Sequence, residues 1–165
     1  MVDPEQQIKT ILRTAYIIER RGADFYGALS RTADDTERKA LFEQLAKDEM
    51  SHVNILGSYL GMYTPRGSNG ADDTDPLFDD AEDLIKGNSR DIIEFSIRLE
   101  DRILATYGNA LLLAVDEKVK NLLQELVQFE KTHKLLLRIQ LRRMATAKDV
   151  AAVREPWTRS LPVRS

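Results

Sequence analysis

Apolar residues recur every three to four positions along four long stretches of the chain, and none of these stretches has an internal proline. This spacing places apolar side chains on one face of a helix, so it predicts amphipathic helices at about 4–32, 35–60, 91–115 and 117–144. Asp3 is expected to cap the first helix, with Pro4 at its first position. The positions predicted to face inward are, helix by helix, Leu12, Ala15, Glu19, Gly22, Tyr26 and Leu29; Phe42, Leu45, Glu49, His52, Leu56 and Tyr59; Ile93, Ile97, Glu100, Leu104, Tyr107 and Leu111; and Leu123, Leu126, Glu130, His133 and Leu137.

The links between the predicted helices differ in length. Short polar turns near residues 33–34 and 116 join the first helix to the second and the third to the fourth, and short links make antiparallel neighbours. The stretch at about 61–90 is long and rich in glycine and proline, so we interpret it as a crossover, with a short helical turn at about 79–85. The fold class is therefore all-α, and two helical hairpins joined by one long crossover are the connectivity of a ferritin-like antiparallel four-helix bundle.

The chain is 165 residues long, which fits one bundle domain at 1–148 followed by a C-terminal tail at 149–165. We expect the tail to be a loosely docked extension, and the alternative is a partner-docking peptide anchored by Trp157.

Composition narrows the function classes. There is no cysteine, which excludes disulfides, thiolate metal sites and thiol catalysis. The net charge of −3 gives no electrostatic reason to expect nucleic acid or an anionic membrane as a partner. No apolar run approaches the length of a membrane span, and the N-terminus lacks the pattern of a signal peptide, so we expect a cytoplasmic protein.

The chain also resembles itself when it is shifted by 81 positions. Each half contains a glutamate, a tyrosine seven residues later, and then a Glu-x-x-His motif. The chain has only two histidines, and each belongs to one of these motifs. The matched pairs are Glu19 with Glu100, Tyr26 with Tyr107, Glu49 with Glu130, and His52 with His133. Two hairpins with the same polar residues at matched places predict a bundle with approximate twofold symmetry.

Helix geometry brings these polar residues to one level of the bundle. The two glutamates of each hairpin lie equally far from its turn, about 22 Å at the rise of an α-helix. His52 and His133 follow their glutamates by three residues, so each lies on the same helix face as its glutamate. Because they interrupt apolar stripes, the four glutamates and two histidines are expected to be buried together.

Four buried carboxylates would repel one another and lose hydration, so they need protons or cations. Two divalent cations balance four negative charges, and neutral imidazoles add ligands without charge. Carboxylate and imidazole ligands without thiolate suit iron, manganese or zinc. We favour iron, because two irons together can deliver two electrons to dioxygen or peroxide. A buried polar network without metal is the structural alternative.

Two further features allow more than one interpretation. Tyr26 and Tyr107 are either aromatic core residues or hydrogen-bond donors that orient a metal-binding carboxylate across the bundle. The crossover carries an acidic cluster, interpreted as a solvated loop, with attraction of ferrous ions as the alternative. The cluster consists of Asp72, Asp73, Asp75, Asp79, Asp80, Glu82 and Asp83.

Four segments resemble the rubrerythrin-like branch of the ferritin-like superfamily, over about residues 5–145. They are Ile18-Glu19 through Phe25-Tyr26, Leu45 through Asp48-Glu49-Met50-Ser51-His52, Leu99-Glu100 through Tyr107, and Phe129-Glu130-Lys131-Thr132-His133. The resemblance implies that Glu19, Glu49, His52, Glu100, Glu130 and His133 are the ligands of two iron ions, with Glu49 and Glu130 bridging. It also implies a homodimer.

The chain departs from full-length rubrerythrins in two ways. They append a cysteine-ligated rubredoxin domain that supplies electrons, and they carry an extra glutamate three residues after the third-helix ligand. Here that position is Ile103, and its repeat mate is Gly22. The six-ligand set is closer to that of bacterioferritins and other di-iron oxidases.

The sequence therefore predicts a di-iron oxidoreductase that oxidises Fe(II) with dioxygen or hydrogen peroxide, with no catalytic residue beyond the metal ligands. One alternative is a rubrerythrin-like peroxidase that uses a separate electron donor. The other is a non-catalytic iron-binding or storage protein.

Overall fold

The protein is described by a computed structural model that covers residues 3–61 and 75–154, without the side chains of Pro4 and of residues 146–154. Four long helices form an antiparallel bundle: α1 (Pro4–Thr32), α2 (Thr36–Leu60), α4 (Ser89–Leu113) and α5 (Glu117–Arg154). The all-α ferritin-like prediction is confirmed. Within the described ranges, no helix combines the length and apolar character that crossing a membrane would require.

Polar caps fix the starts of the long helices. Asp3 accepts a hydrogen bond from the backbone N–H of Glu5, as predicted, and Asp35 accepts one from that of Arg38. Asn88 and Asp116 do the same for α4 and α5. Such caps satisfy N–H groups that have no partner within the helix.

The last helix is longer than predicted, because α5 continues beyond Met144 to Arg154. Residues 149–154, placed in the predicted tail, are therefore helical. The segment 145–154 is rich in alanine and contains no proline or glycine, so nothing in it ends a helix. Residues 155–165, with Trp157, lie outside the described residues, and the division into bundle and tail remains a prediction.

The helices pack unequally. α1 lies along α2, α4 lies along α5, and the two hairpins meet mainly through α1 and α4, whereas α2 and α5 meet at few points. At one end of the bundle, Arg143 of α5 pairs with Glu37 of α2 at 2.9 Å, which fits the antiparallel course of these two helices.

The buried face of α4 is wider than the predicted stripe. Ile97, Leu104 and Leu111 are only half-buried, whereas Leu99 and Ile103 are fully buried. The reason is that α4 packs against both α1 and α5 and also contacts the crossover, so it buries residues on more than one stripe.

The described part of the crossover lies against α1 and α4. It contains a 3₁₀ turn (Pro76–Phe78) and the short helix α3 (Ala81–Ile85), where a helical turn was predicted. Phe78 is buried with its ring 6.4 Å from that of Phe25 and 6.1 Å from that of Phe95. The crossover thus covers the α1–α4 side of the bundle.

Candidate metal centre

Six acidic and imidazole side chains converge inside the bundle, and each is at most 2% exposed. Every long helix contributes at least one of them, since α1 and α4 carry one glutamate each and α2 and α5 carry one Glu-x-x-His motif each. They are Glu19, Glu49, His52, Glu100, Glu130 and His133. These are the six residues that the sequence analysis predicted to meet.

The six residues form two overlapping groups that could each hold a metal ion. One contains Glu19 and His52, the other contains Glu100 and His133, and both contain Glu49 and Glu130. In each group, one ligand atom from every residue lies within 4.8 Å of the others. Glu49 and Glu130 are therefore the two carboxylates that the groups have in common.

The two histidines face the glutamates through the same ring nitrogen. Nδ1 of His52 is close to three carboxylate oxygens: Glu130 Oε1 at 2.9 Å, Glu19 Oε2 at 3.4 Å and Glu49 Oε2 at 3.5 Å. In the group that contains His52, one imidazole nitrogen and three carboxylates thus converge.

His133 repeats this arrangement in the other group. Its Nδ1 lies 3.3 Å from Glu130 Oε2, 3.4 Å from Glu49 Oε1 and 3.8 Å from Glu100 Oε2. The two imidazole rings are roughly parallel, with centroids 5.9 Å apart. Each metal-binding group thus has its own histidine.

Asp48 is a functional candidate that the sequence analysis missed. Its Oδ2 lies 3.3 Å from Nε2 of His133, on the side of the ring opposite the cluster, and Gln44 donates a 2.8 Å hydrogen bond to its Oδ1. Asp48 precedes the Glu49-x-x-His52 motif by one residue, which is the signal that could have identified it. Because it contacts a histidine of another helix, the sequence alone did not reveal the pairing.

The tyrosines connect the two hairpins. Tyr26 of α1 donates a hydrogen bond to Glu100 Oε1 of α4, and Tyr107 of α4 donates one to Glu19 Oε1 of α1. Burial raises the pKa of both phenols well above the usual value, so both remain protonated donors. Each phenol occupies one oxygen of its glutamate and directs the carboxylate into the cluster.

The donor set fits divalent cations. Within the described part of the chain, six buried side-chain atoms lack a hydrogen bond, and all of them belong to this cluster: both carboxylate oxygens of Glu49 and of Glu130, Oε2 of Glu100 and Nδ1 of His133. Carboxylate oxygens without partners are destabilising in a protein interior. Cations bound by these atoms would remove that penalty.

The electrostatics of the protein alone point the same way. Burial, reinforced by the charges of Glu19 and Glu130, raises the pKa of Glu49 well above its usual value. Burial is also the main cause that raises the pKa of Glu100 to about 8. Two of the four carboxyl groups therefore retain protons at a pH where an exposed glutamate has none.

Close contacts between imidazoles and carboxylates outweigh burial at three other groups. Burial opposes the charged form of Glu130, but the nearby imidazoles of His133 and His52 outweigh it and lower its pKa to about 2. Burial likewise opposes protonation of His52, and the carboxylates of Glu130, Glu19 and Glu49 outweigh it and raise the pKa of His52 to about 12. In the same way, carboxylates raise the pKa of His133. Without metal, bound protons therefore supply the positive charge that balances the carboxylates.

The described acids of the crossover cluster do not belong to this centre. Asp72 and Asp73 lie outside the described residues. Asp75 is buried, caps the 3₁₀ turn and lies 4.0 Å from Arg102, and the other four acids belong to neither metal-binding group. Among the described acids, Asp75 therefore stabilises the crossover itself, and the other four take no part in the metal centre.

Comparisons with known proteins agree with the fold. The sequence model of the family described as Rubrerythrin matches residues 10–141. A solved ferritin-like, diiron-carboxylate protein from Bacillus anthracis superposes with a TM-score of 0.63 at 18% identity, covering 86% of this chain and 99% of that one. A two-domain protein from Anabaena variabilis, with DJ-1/ThiJ/PfpI-like and ferritin-like domains, superposes with a TM-score of 0.62 at 17% identity. That match covers 96% of this chain and 40% of the other. No curated protein matches the sequence.

Proposed function

The chain belongs to the rubrerythrin family, and from this premise we propose that it is a di-iron carboxylate protein that oxidises Fe(II) with dioxygen or hydrogen peroxide. The ligands in this proposal are Glu19, Glu49, His52, Glu100, Glu130 and His133. Manganese and zinc suit the same ligand types, and iron is favoured because the proposed reaction needs a metal that changes oxidation state.

One observation carries the proposal: two metal-binding groups share Glu49 and Glu130, and both carboxylates have all their oxygens buried without a hydrogen bond. Two divalent ions would neutralise the four glutamates, while the imidazoles would add ligands without charge. With a single ion, only protons would be left to balance the charge of the other two carboxylates.

When bound, an iron pair would supply two electrons, which together with two protons from solvent reduce one dioxygen to hydrogen peroxide or one hydrogen peroxide to two water molecules. The protein's own residues hold and orient the site. Glu49 and Glu130 keep the two positions close together, and Tyr26 and Tyr107 fix the orientation of the two terminal glutamates. Fully buried leucines flank both Glu-x-x-His motifs along α2 and α5 and exclude bulk water; they are Leu45, Leu56, Leu126 and Leu137.

The test is stopped-flow oxidation of protein that has been loaded anaerobically with two Fe(II) per chain and then mixed with dioxygen or hydrogen peroxide. We expect faster oxidation than for free Fe(II), with two irons oxidised per chain. Glu49→Gln and Glu130→Gln remove one negative charge shared by both positions and should lower the rate at least 10-fold. Glu125→Gln, at an exposed site on α5, is the matched control and should leave the rate unchanged.

Oxidation by both bridging variants at the wild-type rate would overturn the proposal, as would a chain that binds no iron. Comparing the rates with the two oxidants also distinguishes an oxidase that uses dioxygen from a protein that reacts only with hydrogen peroxide.

Ile103 favours this activity over the peroxidase alternative. It is fully buried at the position where the resemblance places an extra glutamate of rubrerythrins. A peroxidase fed by a separate electron donor would instead sustain NAD(P)H-dependent peroxide turnover when a reductase and donor are added.

We further propose a homodimer as the assembly, as the resemblance implies. A storage protein needs a hollow multimer, so multi-angle light scattering separates the two: a dimer supports an oxidase without a storage cavity, and a large closed multimer supports storage.

A further inference from the structure

The internal repeat is broken beside the metal centre. The shift of 81 positions that relates Glu49 to Glu130 and His52 to His133 also relates Asp48 to Phe129. The two halves therefore have the same residue types in the predicted ligand set but differ at the residue just before each Glu-x-x-His motif.

The residue just before the Glu49-x-x-His52 motif is an aspartate, and it contacts His133 of the other motif. Asp48 Oδ2 lies 3.3 Å from Nε2 of His133, while Nδ1 of the same ring faces the glutamates. An imidazole that donates its outer N–H to a carboxylate is fixed in the tautomer that leaves its inner nitrogen free to bind a metal, and that nitrogen becomes more basic. Gln44 holds the other oxygen of Asp48 at 2.8 Å, so the carboxylate itself is oriented.

The residue just before the Glu130-x-x-His133 motif is a phenylalanine, and it contacts His52. The Phe129 ring is 5.4 Å from the His52 ring, centroid to centroid, and the two planes are inclined at 58°. A phenyl ring carries no charge and no carboxylate oxygen, so Phe129 cannot hold the outer nitrogen of His52 as Asp48 holds that of His133. Phe129 is 52% exposed, so it lies between His52 and the surface.

We propose that the two metal positions are inequivalent: Asp48 makes the position at His133 the tighter one, and Phe129 leaves the position at His52 the weaker, exchangeable one. Asp48 is thus a positioning residue that acts through His133. Loss of such a partner typically weakens metal binding 10–100-fold, so we expect a difference of this size between the two dissociation constants.

This inference rests on the proposed function only in that the six residues bind two ions. It adds to that function an order of filling for the two positions. The position at His133 would fill first and keep its ion longer, while the position at His52 would fill second and exchange its ion more readily.

The chain provides a separate reporter for each position, because its only two histidines belong one to each metal-binding group. The experiment is a titration of the full-length, ¹⁵N-histidine-labelled protein with Zn(II), a redox-silent ion. The ring-nitrogen NMR signals identify which histidine is bound and through which nitrogen. With one Zn(II) per chain, we expect the His133 signals to move to the bound form first, with Nδ1 coordinated and Nε2 protonated.

Two substitutions test the cause of the difference. Asp48→Ala should weaken binding at His133 by 10–100-fold and abolish its precedence. Phe129→Asp should strengthen binding at His52 and bring the two affinities close together. Leu136→Asp adds the same charge to the same face of α5, seven residues away at a partly exposed site, and should preserve the wild-type order.

The outcomes separate the two proposals. Binding of fewer than two Zn(II) per chain, or no response from either histidine, would overturn the proposed function. Two ions bound with equal affinity, or an order unchanged in Asp48→Ala and Phe129→Asp, would leave the dinuclear site intact and overturn the inequivalence. Because Phe129 is half exposed, its substitution tests the idea without disturbing the core.

Discussion

Tyr26 and Tyr107 are buried and each contacts a glutamate of the other hairpin, so single hydroxyl groups join the two halves of the molecule. Tyr26 donates to Glu100 and Tyr107 to Glu19, and all four side chains are fully buried. In such surroundings a carboxylate oxygen that loses its donor finds no water to replace it.

Replacing either tyrosine with phenylalanine should therefore destabilise the metal-free protein. We expect Tyr26→Phe and Tyr107→Phe each to lower the free energy of unfolding by about 1–3 kcal/mol, the penalty for leaving a buried polar group unsatisfied. Urea denaturation followed by circular dichroism measures this change.

Tyr59→Phe is the matched control. Tyr59 is half-buried near the end of α2, away from the cluster, and its substitution should change stability by less than about 0.5 kcal/mol. Equal effects of all three substitutions would contradict the assigned role of the buried hydroxyls.

At the scale of elements, the crossover supports the α1–α4 contact that joins the hairpins. Phe78 is 4% exposed between Phe25 and Phe95, and the guanidinium of Arg21 lies 5.3 Å from the centre of its ring. One side chain thus attaches the crossover to both helices that carry the terminal glutamates.

Phe78→Ala should lower the free energy of unfolding by about 3–5 kcal/mol, as is typical when a buried aromatic ring is removed. Thermal and chemical denaturation measure the loss. Leu112→Ala removes a residue that is 84% exposed on α4 and should be nearly neutral. A neutral Phe78→Ala would mean that the crossover contributes little to the joint between the hairpins.

At the scale of the whole molecule, the buried cluster links stability to pH and to metal. Burial raises the pKa of Glu100 to about 8, and carboxylate partners raise that of His52 to about 12 against the opposing effect of burial. A raised folded-state pKa gives stability that is present below the unfolded-state pKa and is lost as the pH rises through the folded-state pKa. The lowered pKa of Glu130, about 2, matters only below about pH 4.5.

The metal-free protein should therefore become less stable as the pH rises from about 5 to 9, by about 1.4 kcal/mol per pH unit for each proton that only the folded state retains. Metal ions compete with these protons, so Zn(II) should stabilise the protein more at pH 8.5 than at pH 6. Unfolding of metal-free and Zn(II)-loaded protein at both pH values measures the difference. A metal-free protein that gains stability over this pH range would contradict the assigned protonation of the cluster.

The sequence by itself determined which residues are candidates for the centre and which helices carry them. The cap at Asp3, the limits of α1 at Pro4–Thr32 and the shift of 81 positions are local or periodic features, which a linear pattern records completely. For the same reason the all-α fold, with its two hairpins and its crossover, could be predicted.

Only the tertiary structure decided features that depend on how one helix faces another. The contact of Asp48 with His133, the glutamate that each tyrosine serves and the wider buried face of α4 all depend on the angle and depth of helix packing. A helical pattern gives the face on which a residue lies, but the partner across an interface depends on the placement of the other helix.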